Sequence, residues 1–150
     1  MLRPGQVRRR ILDEHTRICG WLAELEHLAI RLRRGEPDLT SELHRRVAAL
    51  RTFFLSHLEL EERVLAPALR RAGGVGPERA ARLQAEHGAQ REALARFADG
   101  LAASGVPVAT LADAVDAFVA DVRRDMHAEE ALELDPDLLR DDPDEDAAIP

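Results

Sequence analysis

The fold of this chain is decided by residues 53–67, which read FFLSHLELEERVLAP. Around this stretch, apolar residues recur at the three- and four-residue spacing of one helix face, at Leu43, Val47, Leu50, Phe54, Val64 and Ala68. At about 100° per residue, His57 and Glu61 fall at the centre of that face. A helical core normally excludes an imidazole and a carboxylate, because burying them unpaired costs free energy. The pair therefore indicates a buried helix that carries a metal site.

Segments that combine glycine with proline divide the 150 residues into four helical parts. These breaks lie at 35–38, 73–77 and 104–107. Each break pairs a glycine that ends one helix with a proline near the start of the next. We predict helices over about 6–34, 39–72, 78–103 and 108–134. Because such short connections join antiparallel neighbours, the sequence predicts an all-α, up-down-up-down four-helix bundle.

Histidines and carboxylates recur at one level of the predicted bundle. His15 lies 20 residues before the first break, and His57 lies 19 residues after it. Glu61 lies 12 residues before the second break, and His87 lies 10 residues after it. At a rise of about 1.5 Å per residue, the four side chains fall within a few ångströms of one height. Imidazoles and carboxylates that converge inside a bundle bind iron, manganese or zinc, so we predict these four residues as metal ligands.

The fourth helix offers several further candidate ligands. Its apolar face is defined by Leu111, Val115, Phe118, Val122 and Met126. On that projection Glu129 lies near the centre, and Asp125 and Glu130 lie on opposite flanks. His127 points more than about 100° away from the same face. We therefore predict Asp125 and Glu129 as metal ligands, and keep His127 and Glu130 as alternatives in case the helix deforms near its end.

These motifs resemble the hemerythrin-like (HHE cation-binding) family over roughly residues 8–134. The pieces that carry the resemblance are Asp13-Glu14-His15, His57 to Glu62 followed by Pro67, Glu86-His87-Gly88, and Glu129-Glu130. The resemblance implies a four-helix bundle around two non-haem iron ions, bridged by carboxylates and a solvent oxygen. It implies His15, His57, Glu61 and His87 as ligands, with Glu61 bridging. Manganese and zinc are less expected occupants.

Two positions depart from the family pattern. The family often has a second histidine one turn after the ligand of the third helix, and this chain has Arg91 there. We expect Arg91 to pair with a ligand carboxylate or to occupy an entry path. The family usually has a histidine at the first ligand position of the fourth helix, where register places Asp125. A site of three histidines and three carboxylates is more anionic than a histidine-rich one, which stabilises oxidised iron and favours oxidising chemistry over reversible oxygen carriage.

The negative charge of the chain is concentrated at its C-terminal end. The formal net charge is −7, and residues 135–150 contain seven acids against the single Arg140. We therefore divide the chain into a bundle, residues 1–134, and an acidic C-terminal tail, residues 135–150, which we expect to be mobile or loosely docked. Since the remainder is close to neutral, no basic face is left for nucleic acid.

Other sequence features limit the setting of the protein. Cys19 is the only cysteine, which excludes a disulfide framework and a cysteine-based zinc site. The first residues lack the apolar core of a signal peptide, and no apolar run approaches the roughly 20 residues of a membrane span. We expect a cytoplasmic protein without a membrane partner, either a monomer or a weak homo-oligomer. His27 and His44 lie off the apolar faces, and we predict no ligand role for them.

The expected function follows from the predicted centre and the resemblance. We expect a diiron protein that binds and activates O2 or peroxide, with oxidase, oxygenase or catalase-like activity on a small molecule. The alternative is a non-enzymatic module that binds or senses iron, oxygen or nitric oxide. A zinc-loaded structural bundle is a third reading. The sequence does not identify a substrate.

Overall fold

The structure is a computed structural model that describes residues 2–141, and four long helices account for most of them. They are α1 (Pro4–Arg33), α2 (Leu39–Ala72), α3 (Gly76–Ala102) and α4 (Val108–Leu132). Successive helices pack side by side through short connections, and α1 also packs on α4. The described residues therefore form an up-down-up-down four-helix bundle, which confirms the predicted fold class. None of the described helices is long and apolar enough to span a membrane.

Glycine and proline act at the helix ends as the sequence indicated. Proline occupies the first turn of α1 and of α3, where a missing N–H breaks no helical hydrogen bond. Gly73 follows α2 with a positive φ of 71°, a backbone conformation that glycine adopts without strain. A Cβ atom on Gly76 would lie 2.0 Å from the carbonyl oxygen of Leu69. Only glycine therefore lets the start of α3 pack this closely on the end of α2.

The apolar core consists of two clusters that lie on either side of one polar layer. On α1, Ile11 belongs to one cluster and Ile18 to the other. On α3, Leu83 and Leu94 are divided in the same way. On each helix, a buried histidine lies between the two residues of the pair: His15 on α1 and His87 on α3. The bundle thus holds a layer of polar side chains between two regions of packed apolar ones.

The segment after α4 closes one end of the bundle. Leu134 and Leu139 are buried in the cluster that contains Ile11. The backbone N–H of Gly5 donates to Oδ1 of Asp141 at 2.7 Å, and Nε of Arg8 donates to the carbonyl oxygen of Leu134 at 2.7 Å. The apolar packing therefore continues past residue 134, into the part of the chain predicted as an acidic tail. Residues 142–150 of that predicted tail lie outside the described residues.

Candidate metal centre

Five polar side chains make up the buried layer between the two apolar clusters. His15, His57, Glu61, His87 and Glu129 are each at most 4 % exposed. All four helices contribute, and α2 provides both His57 and Glu61, one helical turn apart. The structure therefore brings together five of the six side chains that the sequence predicts as ligands.

The three imidazoles converge on the carboxylate of Glu61. Nε2 of His57 lies 3.0 Å from Oε1 of Glu61, and Nε2 of His15 lies 3.6 Å from the same oxygen. Nε2 of His87 lies 3.0 Å from the other oxygen, Oε2. Glu129 adds an oxygen 3.7 Å from Nε2 of His15. One carboxylate thus faces imidazoles from three different helices.

Several of these atoms are buried without a hydrogen-bond partner among the described residues. They are Nε2 of His15, Oε1 of Glu61 and Oε1 of Glu129. Nε2 of His57 is 3.0 Å from Oε1 of Glu61, but the contact does not have the geometry of a hydrogen bond. Leaving such atoms unsatisfied in a dry interior costs free energy comparable to a lost hydrogen bond, so native proteins rarely do it. One ligand atom from each of His15, His57 and Glu61 lies within 4.8 Å of the other two, as atoms around a common cation do. These residues therefore fit a metal ion.

Each imidazole is held on its far side by a carboxylate from a neighbouring helix. The Nδ1 atoms lie within hydrogen-bond distance of these oxygens: His15 to Glu130 at 2.8 Å, His57 to Glu14 at 2.9 Å and His87 to Glu62 at 3.0 Å. With the Nδ1 proton donated to the carboxylate, the Nε2 lone pair is free for a metal ion and the ring is held in one orientation. The sequence analysis gave Glu14 and Glu62 no such role. Their positions in the sequence could have indicated this role, because Glu14 and Glu62 each lie next to a predicted ligand in the chain.

In the buried layer, the carboxyl groups and the imidazoles shift one another's pKa values. Burial raises the pKa of Glu129 well above its ordinary value, and the negative charge of Glu61 adds to the effect. Burial also opposes ionisation of Glu61, but the imidazoles of His15, His57 and His87 outweigh it and hold that pKa well below its ordinary value. For His57, burial opposes protonation, yet Glu61 and Glu14 raise its pKa. A bound cation would supply the positive charge that the histidines otherwise have to supply by protonation.

Four other predicted residues lie around the layer rather than in it. Asp125 has a side chain that is 40 % exposed, and its Oδ1 lies 3.8 Å from Nη2 of Arg124. His127 is exposed. Glu130 bonds to His15 from the outer side, as described above. Arg91 donates to Oε1 of Glu62 at 2.7 Å, so its guanidinium supports the carboxylate behind His87.

Glu133 is a buried acid that the sequence analysis missed. It is fully buried, and neither of its carboxylate oxygens has a hydrogen-bond partner among the described residues. Nε of Arg82 lies 3.8 Å from Oε1 of Glu133, which is too long for a hydrogen bond. Burial raises the pKa of Glu133. The signal for it was the four-residue recurrence of Asp125, Glu129 and Glu133 along one face of α4 and its end.

Comparisons with known proteins identify the family of this chain. The family described as the hemerythrin HHE cation-binding domain matches residues 7–134. Searches among curated proteins and among solved structures found no significant match. Except for the first three residues of α1, the matched range includes all four helices, and it includes every residue of the buried polar layer. The chain belongs to the hemerythrin HHE cation-binding domain family.

Proposed function

We propose that this protein binds two non-haem iron ions in the polar layer and activates O2 or peroxide there. The observation that carries the proposal is the arrangement of Glu61. Its Oε1 faces His15 and His57, and its Oε2 faces His87. A carboxylate whose two oxygens face separate sets of imidazoles is suited to bridging two ions.

The donor set supports iron as the occupant. His15 and His57 would hold one ion with one oxygen of Glu61, and His87 would hold the other with the second oxygen. Glu129 lies beside the first of these positions, 3.7 Å from His15. Imidazole and carboxylate ligands suit iron, and a carboxylate-rich set favours its oxidised form. Bound iron would supply Lewis acidity and redox chemistry toward O2 or peroxide.

The protein's own contribution is to position and insulate the ions. Glu14, Glu62 and Glu130 hold the three imidazoles in place from outside the layer. The two apolar clusters keep bulk water from the layer on both sides. Such a dry, oriented setting strengthens electrostatic interactions at the centre.

Anaerobic loading with Fe2+ followed by elemental analysis tests the metal content. We expect about two irons per chain, because the two oxygens of Glu61 would serve two ions. Glu61→Gln removes one of the bridging oxygens and should lower the iron content clearly. Exposed His127→Ala serves as the matched control and should leave it unchanged. Absence of iron from the wild-type protein after loading would refute the proposal.

Turnover distinguishes an enzyme from a carrier or sensor. The iron-loaded, reduced protein is mixed with O2 or with H2O2, and consumption of the oxidant is followed. An oxidising enzyme consumes many equivalents per iron centre when a reductant or an oxidisable small molecule is supplied. Consumption that stops after one oxidation of the centre would instead support a binding or sensing module. Loading competition with Zn2+ and Mn2+ tests the choice of metal.

A further inference from the structure

The polar layer offers unequal numbers of ligands on the two sides of Glu61. We call the position that faces its Oε1 the His15 side, and the position that faces its Oε2 the His87 side. One ligand atom from each of His15, His57 and Glu61 lies within 4.8 Å of the other two, and Glu129 adds an oxygen 3.7 Å from Nε2 of His15. An ion on the His15 side would therefore meet four protein ligands that already converge.

The His87 side has fewer ligands. Nε2 of His87 lies 3.0 Å from Oε2 of Glu61. In the part of the chain that the structure describes, no group of three histidine, cysteine or acidic side chains that is compact enough for a metal ion includes His87. Asp125, the remaining ligand predicted from the sequence, has a side chain that is 40 % exposed. Because the affinity for a cation depends on the number and charge of its ligands, the His87 side should hold an ion less tightly.

Arg91 occupies the position from which α3 would supply a second ligand. On α2, His57 and Glu61 are four residues apart, and this spacing places both side chains on the buried face. The residue four positions after His87 on α3 is Arg91. Its guanidinium has a fixed positive charge and no lone pair to offer a metal ion. Nη1 of Arg91 instead donates to Oε1 of Glu62 at 2.7 Å.

Arg91 also shares the oxygen that supports His87. Nδ1 of His87 lies 3.0 Å from Oε1 of Glu62, the same oxygen that accepts from Arg91. Glu14 and Glu130, the carboxylates behind the other two imidazoles, each pair with a histidine and with no arginine among the described residues. A carboxylate behind a metal-bound imidazole makes that imidazole a better ligand, and a guanidinium on the same oxygen lessens the effect. We therefore expect His87 to be the weakest metal ligand of the three imidazoles.

Resting on the proposed function, we propose that the two irons bind unequally, with a tightly held ion on the His15 side and an exchangeable ion on the His87 side, and that Arg91 sets this difference. The occupancy of the His87 side then follows the concentration of free Fe2+. The chain changes from a one-iron form to a two-iron form as the metal becomes available. Any reaction that needs both ions therefore depends on the supply of iron.

Equilibrium dialysis of the full chain against chelator-buffered Fe2+, under anaerobic conditions, tests this inequality. The protein is equilibrated over a range of free Fe2+ concentrations, and the iron bound per chain is measured by elemental analysis. We expect a plateau at about one iron per chain before the second ion binds, with affinities that differ by about 100-fold or more.

Variants of Arg91 test its role. Arg91→His supplies an imidazole four residues after His87 and should strengthen the second binding step by at least about tenfold, because even an outer partner of a metal ligand has effects of this size. Arg91→Met removes the charge without supplying a ligand, so it should strengthen this step clearly less. Glu92→His adds an imidazole at the exposed neighbouring position and is the matched control, which should leave the binding curve unchanged.

Two further variants assign the binding steps to the two sides. His87→Ala should abolish the second step and leave the first in place. His15→Ala should weaken the first step, because it removes one of the four ligands that converge on that side. Circular dichroism confirms that each variant is folded before its iron binding is compared with that of the wild type.

The outcomes separate this inference from the proposed function. Binding of two ions in a single step, without a plateau, overturns the inference and leaves the diiron proposal intact. A wild-type protein that takes up one ion even at saturation overturns the diiron proposal. A second ion in Arg91→His would then support the inference, and the absence of one would overturn it as well. Loss of the tightly held ion in His87→Ala, or an unchanged second step in Arg91→His, would also overturn the inference.

Discussion

Nδ1 of His57 on α2 lies 2.9 Å from Oε2 of Glu14 on α1. Glu14 comes directly before His15 in the chain. The other two buried imidazoles have the same arrangement. Glu62, which follows Glu61, holds His87 on α3, and Glu130, which follows Glu129, holds His15 on α1. Each supporting carboxylate is thus the chain neighbour of a residue in the polar layer. A helix that places one side chain in the polar layer therefore also places the carboxylate that holds an imidazole of the adjacent helix.

The first prediction concerns this outer carboxylate. Glu14→Gln should weaken iron binding by about 10- to 100-fold, the usual effect of removing a carboxylate behind a metal-bound histidine. The fold should survive, because Glu14 is only half-buried. The measurement is iron affinity by competition with a chelator. Asp13→Asn alters an exposed acid beside it and should leave affinity unchanged. Equal affinities of Glu14→Gln and the wild type would contradict the role of Glu14.

The fold and the facing of the central residues could be predicted from the sequence for a simple reason. Helical periodicity is a local property, and the apolar stripe on α2 places His57 and Glu61 inward whatever the neighbouring helices do. The structure confirms the four-helix bundle. Which residues bind metal stays a prediction, because burial and convergence show that a site can form and not what fills it.

The supporting carboxylates depend on contacts between helices. Glu14 and Glu62 lie at the edge of their own helix faces, where periodicity assigns no partner. Only the packing of α1 on α2, and of α2 on α3, brings them to an imidazole. Glu133 was missed because it lies at the end of α4, where solvated acids are common.

The second prediction compares two histidines of different burial. His57→Ala should lower both the iron content and the melting temperature of the iron-loaded protein, because metal binding adds to the free energy of unfolding. His27→Ala removes an exposed imidazole and should change neither. It is a better control than His44→Ala, because Nε2 of His44 bonds to the carbonyl oxygen of Leu101 at 2.8 Å. The same loss of iron in both variants would refute the buried site.

The third prediction concerns α4. Glu129→Gln should lower iron content, because its buried oxygen lies 3.7 Å from Nε2 of His15 and has no other partner among the described residues. His127→Ala should leave iron content unchanged, because that side chain is exposed. Elemental analysis of the two variants, loaded side by side, is the measurement. Iron loss in His127→Ala alone would show that α4 turns its other face toward the ions.

The last prediction is the pH dependence of the metal-free protein. Burial raises the pKa of Glu129 and of Glu133 above the ordinary value of 4.5. Contacts with Glu61 and Glu14 outweigh burial and raise the pKa of His57 above 6.5. In all three cases the folded protein binds more protons than the unfolded chain between the ordinary and the raised pKa. The stability that each of these groups contributes is fully present below its ordinary pKa and is lost as the pH rises through its raised pKa. The loss amounts to up to about 1.4 kcal/mol per pH unit for each proton.

The pKa of Glu61 is shifted in the opposite direction, so this residue affects stability only at lower pH. Its pKa is held well below 4.5, so its contribution is complete above that pH and is lost only on further acidification. The free energy of unfolding in urea should therefore fall between about pH 5 and pH 8. Glu133→Leu should flatten the slope, because it removes a buried carboxylate that has no hydrogen-bond partner among the described residues. Saturation of the wild-type protein with metal should reverse the sign of this slope, because the cation and protons compete for the same histidines and carboxylates. A metal-free protein that gains stability over this range would show that these groups do not titrate as the folded geometry requires.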